Sequence, residues 1–285
     1  MDQMIHNSYV ALLDQDKITI KHPTNDSRQV TLYRICALKT FKLPAFDIVI
    51  EKNTVGGYVQ GLHNLDPEAP SWVGHRSRVF DDAKILHGSL LTESCVVFGN
   101  AEIRASRLKH YARVLDDAQI IESTLENLVE VKGSATVLKS TMCNSTMVFN
   151  NASIQDSSLK IGSCVRGNAI VLNTTLTDTT QIGGDARVVD CKLSNDAKIF
   201  DGKHEGKTFN VSQDLIYETF DGNLNDLKPV SFQFSGTDYS GYAWHIPGKS
   251  RSLVYRDKAG KHVLKTRNSM NLSITSKQLY DTDTF

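Results

Sequence analysis

The sequence predicts an all-β fold, a three-sided parallel β-helix with a small β-rich segment at each end. Three observations predict it: an aliphatic residue at every fifth or sixth position, a small residue two places before each, and turn formers in between. The aliphatic column begins Val73, Val79, Ile85, Leu91, Val97, Ile103 and continues through Leu108, Val114 and Ile120 to Ile199. Its first five steps are six residues long, and from Ile103 to Leu193 the steps repeat as five, six, six. A coil is therefore 17 residues, after a first coil of 18. Self-similarity of this kind marks a solenoid, because one coil cannot bury its own faces and needs its neighbours to do so.

The small column runs Ser71, Ser77, Ala83, Ser89, Cys95, Ala101, Ser106 and onward to Ala197, with Val129 its one larger member. Residues two apart on a strand point the same way, so each short strand sends one small and one aliphatic side chain inward. Between the second and third strands stand Asp81-Asp82, Gly99-Asn100, Asp116-Asp117, Gly133-Ser134 and Gly167-Asn168. Those residue types tolerate the left-handed backbone that a tight corner demands. Three strands per coil, stacked about 4.8 Å apart, predict about 7–8 coils over residues 71–202.

Runs such as "VFGNAEIRAS", "VRGNAIVLNT" and "IGGDARVVDC" resemble the hexapeptide-repeat proteins. That resemblance implies a left-handed parallel β-helix; the spacing alone does not set the hand. Upstream, "LYRICALKTF", "VGGYVQ" and "SWV" resemble the YdcK group of bacterial acetyltransferase-like proteins. Hexapeptide acyltransferases imply an acyl-CoA or acyl-carrier partner and a histidine base beside a loop thrown out of the coils. No loop interrupts residues 71–202 here, and His87 and His110 are the coil histidines best placed for such a role.

Residues 1–70 lack the repeat. "KITIKH", "QVTLYRICAL" and "FDIVIEKNTV" alternate apolar and polar residues and read as strands, the first two as a hairpin around "HPTNDSR". An open β-helix end needs a cap, and this segment is expected to supply it. "VGGYVQG" reads as the bend into the first coil. Residues 203–285 read as a small, mainly β domain. "SQDLIYETF" is a candidate helix capped by Ser212, and "SLVYRDKAGKHVLKT" a hairpin turning at Asp257 to Gly260. Tyr239, Tyr242, Trp244 and His245 cluster there as either a binding surface or a small core.

Lys plus Arg and Asp plus Glu both number 32. This balance gives no electrostatic draw toward nucleic acid or an anionic membrane. No window is long and apolar enough to span a bilayer, and the acidic start does not read as a signal peptide. Five cysteines without paired spacing fit a reduced, cytoplasmic setting.

Two sets of outward residues are candidates for function. At the corner after the first strand, successive coils stack His75, Glu93, His110, Asn127 and Asn144. His75, Glu93 and His110 are a metal-ligand set by type, and a solvated polar corner is the competing reading. Along the strands, one outer column carries Phe80, Phe98, Leu115 and Phe149, and another Leu86, Ile121 and Leu138. A monomer rarely exposes so contiguous an apolar surface, so a second subunit or a terminal segment of the chain itself should cover it. The sequence therefore predicts a rigid scaffold that binds a protein partner or itself, with no cofactor evident. The alternative is an acyl-CoA-dependent acyltransferase.

Overall fold

The computed structural model describes residues 6–210 and, further on, the strand segments 218–219, 228–234, 237–244, 252–256 and 262–266. The chain divides into two compact units, Met1–Gln213 and Asp214–Phe285. Among the described residues no α-helix occurs, and no helix there is long and apolar enough to cross a membrane.

The first unit is a parallel β-solenoid of about nine coils with three faces, each a ladder of strands two or three residues long. Strand register follows the 17-residue coil: Val97 pairs with Val114, Val114 with Val131, and Val131 with Val148. The aliphatic column from Val73 to Val188 is wholly buried, and so are most of the small residues beside it. Each such aliphatic contributes about 1.5–3 kcal/mol on burial, most of it offset by the cost of ordering the chain.

Two corner devices hold this register. At the tighter corner the small inward residue is a hydroxyl. Ser123, Ser140, Ser157 and Thr174 each donate a backbone N–H to the hydroxyl of the residue 17 before, all at 3.0 Å. Each of those hydroxyls in turn donates to the carbonyl two residues back, as Ser140 does to Leu138 at 2.7 Å. An amide that would otherwise be buried unpaired is thus satisfied once per coil. At the opposite extreme of size, Gly99 and Gly133 have φ of +78° and +75°, and a Cβ on either would come within 3.0 Å of the next corner's backbone. Only glycine fits there.

The repeat extends beyond 71–202 in both directions. Strands β1 (Val10–His22) and β2 (Asn25–Ala37) form the expected hairpin, followed by the short pair β3 (Phe41–Leu43) and β4 (Ile48–Ile50). Strand β5 (Val55–Val59) was expected to be a bend. It is instead the first rung of the solenoid, parallel to Arg78–Val79 and antiparallel to β2. Gly57 and Val59 are its small and aliphatic members; a Cβ at Gly57 would lie 2.3 Å from the Gly74 carbonyl. At the far end His204 and Phe209 occupy aliphatic positions, pairing with Val188 and Leu193. Their rings meet edge to face at 5.7 Å and close the last coil with larger side chains.

We number the faces from β5: the first carries Val59 to Ile199, the second Ile85 to His204, the third Val73 to Phe209. The hairpin lies on the first face, where Val30 and Leu32 form one buried cluster with Phe80, Phe98 and Leu115. The two phenylalanine rings stack with centroids 4.9 Å apart. The cover that the sequence required is therefore the chain's own N-terminal segment over this part of the column. Above the third face, Phe41 meets Trp72 at 6.1 Å.

In the second unit, five strands form an antiparallel sheet in the order 218–219, 262–266, 252–256, 237–244, 228–234. Ser252–Arg256 and His262–Thr266 are the expected hairpin, and its turn lies outside the described residues. Glu218–Thr219 is a strand where a helix was expected; Ser212 lies outside the described residues.

Candidate functional site

The polar corner at which His75, Glu93 and His110 were expected, between the third and first faces, is built as the stacking rule requires. Its two central residues have left-handed backbone in coil after coil: Glu93 and Ser94, His110 and Tyr111, Asn127 and Leu128, Asn144 and Ser145. From Tyr111 on, the second of each pair donates its N–H to the first residue of the coil before, as Leu128 does to His110 at 3.0 Å and Ser145 to Asn127 at 2.8 Å. Side chains follow the same ladder. His110 Nε2 lies 2.5 Å from Glu93, and Asn127 donates to Asn144 at 3.1 Å.

His75, the third member of the predicted metal set, is used differently. Its Nδ1 accepts from the Arg34 guanidinium at 2.8 Å, so that lone pair is committed to the hairpin. Among the described residues no group of three or more His, Cys, Asp or Glu is placed to hold a metal ion. Sequence reasoning missed Glu126, which brings Oε1 to 3.4 Å from His110 Nδ1, at ion-pair range without an aligned hydrogen bond. Glu126 comes from the strand, not the corner, and one coil of offset would have found it. His110 thus sits between two carboxylates, with 40% of its side chain exposed. Such a pair orients the imidazole at the corner.

A second polar cluster ties the hairpin tip to the solenoid. Thr24 donates its backbone N–H to His22 Nδ1 at 3.3 Å, so that nitrogen is bare and Nε2 carries the proton. Nε2 then donates to Asp81 at 2.8 Å, and Arg28 meets the other carboxylate oxygen at 2.7 Å. Asp81 is itself locked: its N–H donates to Gln60 and its carbonyl accepts from His63 and Asn64. The His22 ring lies edge-on to Phe80 and Phe98, at 5.6 and 5.4 Å. An open cleft of about 470 Å³ adjoins this cluster, lined by Arg28, Gln60, His63, Asp82 and Asn100 among others. His22 and Arg28 of the hairpin both engage Asp81 beside it, which makes this cluster an anchor for the hairpin.

The apolar columns divide by what covers them. Phe80 and Phe98 are at most 2% exposed and Leu115 is 7% exposed, so none of the three is available to a partner. Phe149, on the same column below the hairpin, is half-buried beneath the Lys132 ammonium, 4.5 Å from the ring centroid. On the second face Leu86, Ile121 and Leu138 stay half-buried and keep part of their surface in solvent. Leu172 and Val189 extend that column. Of the aromatic cluster in the second unit, Tyr239, Tyr242 and Trp244 lie on the strand Thr237–Trp244, and His245 is outside the described residues.

The cysteines are all free. Burial pushes the Cys95 thiol up to about 12, so it behaves as a small apolar group. Burial also raises Cys164, against the opposing charge of Arg166. At Asp66 burial disfavours the carboxylate, but backbone N–H groups from His87, Ala69 and Glu68 outweigh it and hold the group below its ordinary range.

Compared with known proteins, the chain matches no family model and no curated sequence.

Proposed function

We propose that the chain is a rigid interaction scaffold, a β-solenoid that holds another protein or a further copy of itself against its second face. The observation that carries this reading is the contrast between outer columns. The hairpin buries Phe80 and Phe98, while Leu86, Ile121 and Leu138, in the same outward register one strand on, remain partly open. An outward column that is partly open and largely apolar, with Arg104 between Leu86 and Ile121, on a parallel ladder suits protein contact. Balanced charge favours neither nucleic acid nor an anionic membrane as the partner. The test is cross-linking in cells followed by mass mapping, with Ile121→Arg plus Leu138→Arg as the variant. Cross-links on the second face should vanish in the variant while its melting temperature holds. Cross-links that survive the substitutions would sink the reading.

One observation keeps a catalytic reading beside it. His110, held by two carboxylates and open to solvent, is the side chain that acyl transfer from an acyl-CoA would need as a base. The resemblance to hexapeptide-repeat acyltransferases, with their left-handed coils, belongs to that reading. A thermal-shift titration with acetyl-CoA decides it: stabilisation in the wild type, together with loss of any transferase activity in His110→Ala, would favour the enzyme.

A further inference from the structure

The side chains around the cleft at the hairpin tip are each tied down at one end and left open at the other. Gln60 accepts the Asp81 N–H on its side-chain oxygen at 2.8 Å, which leaves its amide N–H groups over. Arg28 sets one terminal nitrogen against the Asp81 carboxylate at 2.7 Å and keeps its other N–H groups. Asn100, one coil on, donates its amide to Asp117 at 2.7 Å and keeps its side-chain oxygen. His63 donates Nε2–H to the Asp81 carbonyl at 2.9 Å, and its ring lies on Gly61, where a Cβ would come to 2.7 Å from Nδ1. Asp82 lines the same cleft, and among the described residues its carboxylate has no partner. Fixed donors on Gln60 and Arg28 and fixed acceptors on Asn100 and Asp82 thus border one space of about 470 Å³. Holding the hairpin uses Asp81; it uses neither Asp82 nor any of these open ends.

We propose that this cleft binds a small, neutral, polyhydroxylated molecule of the size of a pyranose sugar. Elimination selects the class. No apolar side chain lines the cleft, so an apolar ligand would gain little there. The Arg28 charge is already set against Asp81, so an anion would meet the uncompensated charge of Asp82. Among the described residues no three His, Cys, Asp or Glu are placed to hold a metal ion. An organic cation would pair with Asp82 but bring no acceptor to the N–H groups of Arg28 and Gln60. A hydroxyl both donates and accepts, so a ring that carries several satisfies both kinds of open end at once. Asp82 and Asn100 hold the same corner position in successive coils, about 4.8 Å apart, a spacing that two hydroxyls of one sugar ring span. The carboxylate, guanidinium and amide ends are planar forks suited to neighbouring hydroxyls. Because their far ends are already tied, these side chains lose little freedom on binding. The cleft volume lies in the range of small-molecule sites, and its open, polar walls give weak affinity, of about millimolar Kd. The ligand joins strand β2, through Arg28, to the solenoid corners, through Asp82 and Asn100, and so fastens the hairpin as it binds.

Saturation-transfer NMR of the full chain with D-glucose, D-galactose and D-mannose, each at about 10 mM, tests this. Glycine and inorganic phosphate serve as zwitterionic and anionic controls. Transfer should reach at least one of the sugars and neither control, and that sugar should raise the melting temperature. Asp82→Leu with Asn100→Leu removes both acceptors and leaves the Asp81 anchor in place. This variant should bind the sugar about tenfold more weakly or worse, and without sugar it should melt as the wild type does. If the double substitution unfolds the protein, Asp82→Leu alone is read in the same way. Absence of transfer to all three sugars would overturn the proposal. So would transfer to glycine or phosphate instead, or sugar binding that survives the loss of the acceptors.

Discussion

The first and second faces carry the same kind of outward apolar column and meet opposite fates. On the first, Phe80, Phe98 and Leu115 face Val30 and Leu32 of the hairpin and are part of the protein's core. On the second, Leu86, Ile121 and Leu138 occupy equivalent outward positions and remain half in solvent. The repeat makes both columns in the same way. What separates them is a segment outside the repeat, pinned to one corner by His22, Arg28 and Asp81. A solenoid thus sets the spacing of its outer residues, and the flanking chain decides which of them are left to face solvent.

The largest effect lies beneath both faces. Val131→Asp buries an unpaired charge in the stack and should cost on the order of 5 kcal/mol or prevent folding; chemical denaturation will show which. The comparison itself is tested next. Phe98→Ala should cost about 3–5 kcal/mol, as a core truncation does. Leu138→Ala, in the same register on the open face, should cost less than about 1 kcal/mol. Equal costs would mean either that the second face is covered too or that the hairpin does not seal the first.

The inward register was legible because the pleat fixes it: once the 17-residue period is seen, side-chain direction follows for every strand. The landing place of the hairpin was not. Val30 and Leu32 alternate as any half-buried strand does, and nothing local to them names the face they will meet. The first rung was hidden because residues 61–70 stand where a second-face strand would be, with only Leu65 bridging to Ile85. This interrupts the period between Val59 and Val73. At the polar corner the stack of Glu93 on His110 followed from spacing. The engagement of His75 did not, since Arg34 reaches it from the hairpin, 41 positions away.

Within one coil a finer contrast is available between neighbours. Ser140 points into the tight corner, accepts the Ser157 N–H at 3.0 Å and is 4% exposed; Thr141 points out. Ser140→Ala should cost about 1–3 kcal/mol, because a buried amide loses its acceptor. Thr141→Ala should change stability by less than about 0.5 kcal/mol. Urea midpoints at constant slope give both values. A neutral Ser140→Ala would mean that the hydroxyl ladder is incidental to the corner.

The smallest effect is one of pH, at the place where the second face does receive a cover. The loop over residues 61–70 caps the top of that face, and Asp66 ties it down by accepting N–H groups from Glu68 and His87, at 2.9 and 2.8 Å, and from Ala69. These bonds are stronger to the charged carboxylate than to the neutral acid, and they hold its pKa below the ordinary 3.8 despite burial. In acid the unfolded chain therefore binds a proton at Asp66 before the folded chain does. The stabilisation is fully present above the ordinary value and is lost as pH falls through the lower, folded value. Asp66→Asn should lower the melting temperature at neutral pH, and the gap from wild type should narrow as the pH drops below about 3.8. A gap that stays constant into acid would show that the carboxylate charge contributes nothing at this loop. The top of the second face would then be held by the Leu65 contact, the hydrogen bonds of His63 and Asn64 to Asp81 and the Asp66 N–H bond to Ile85.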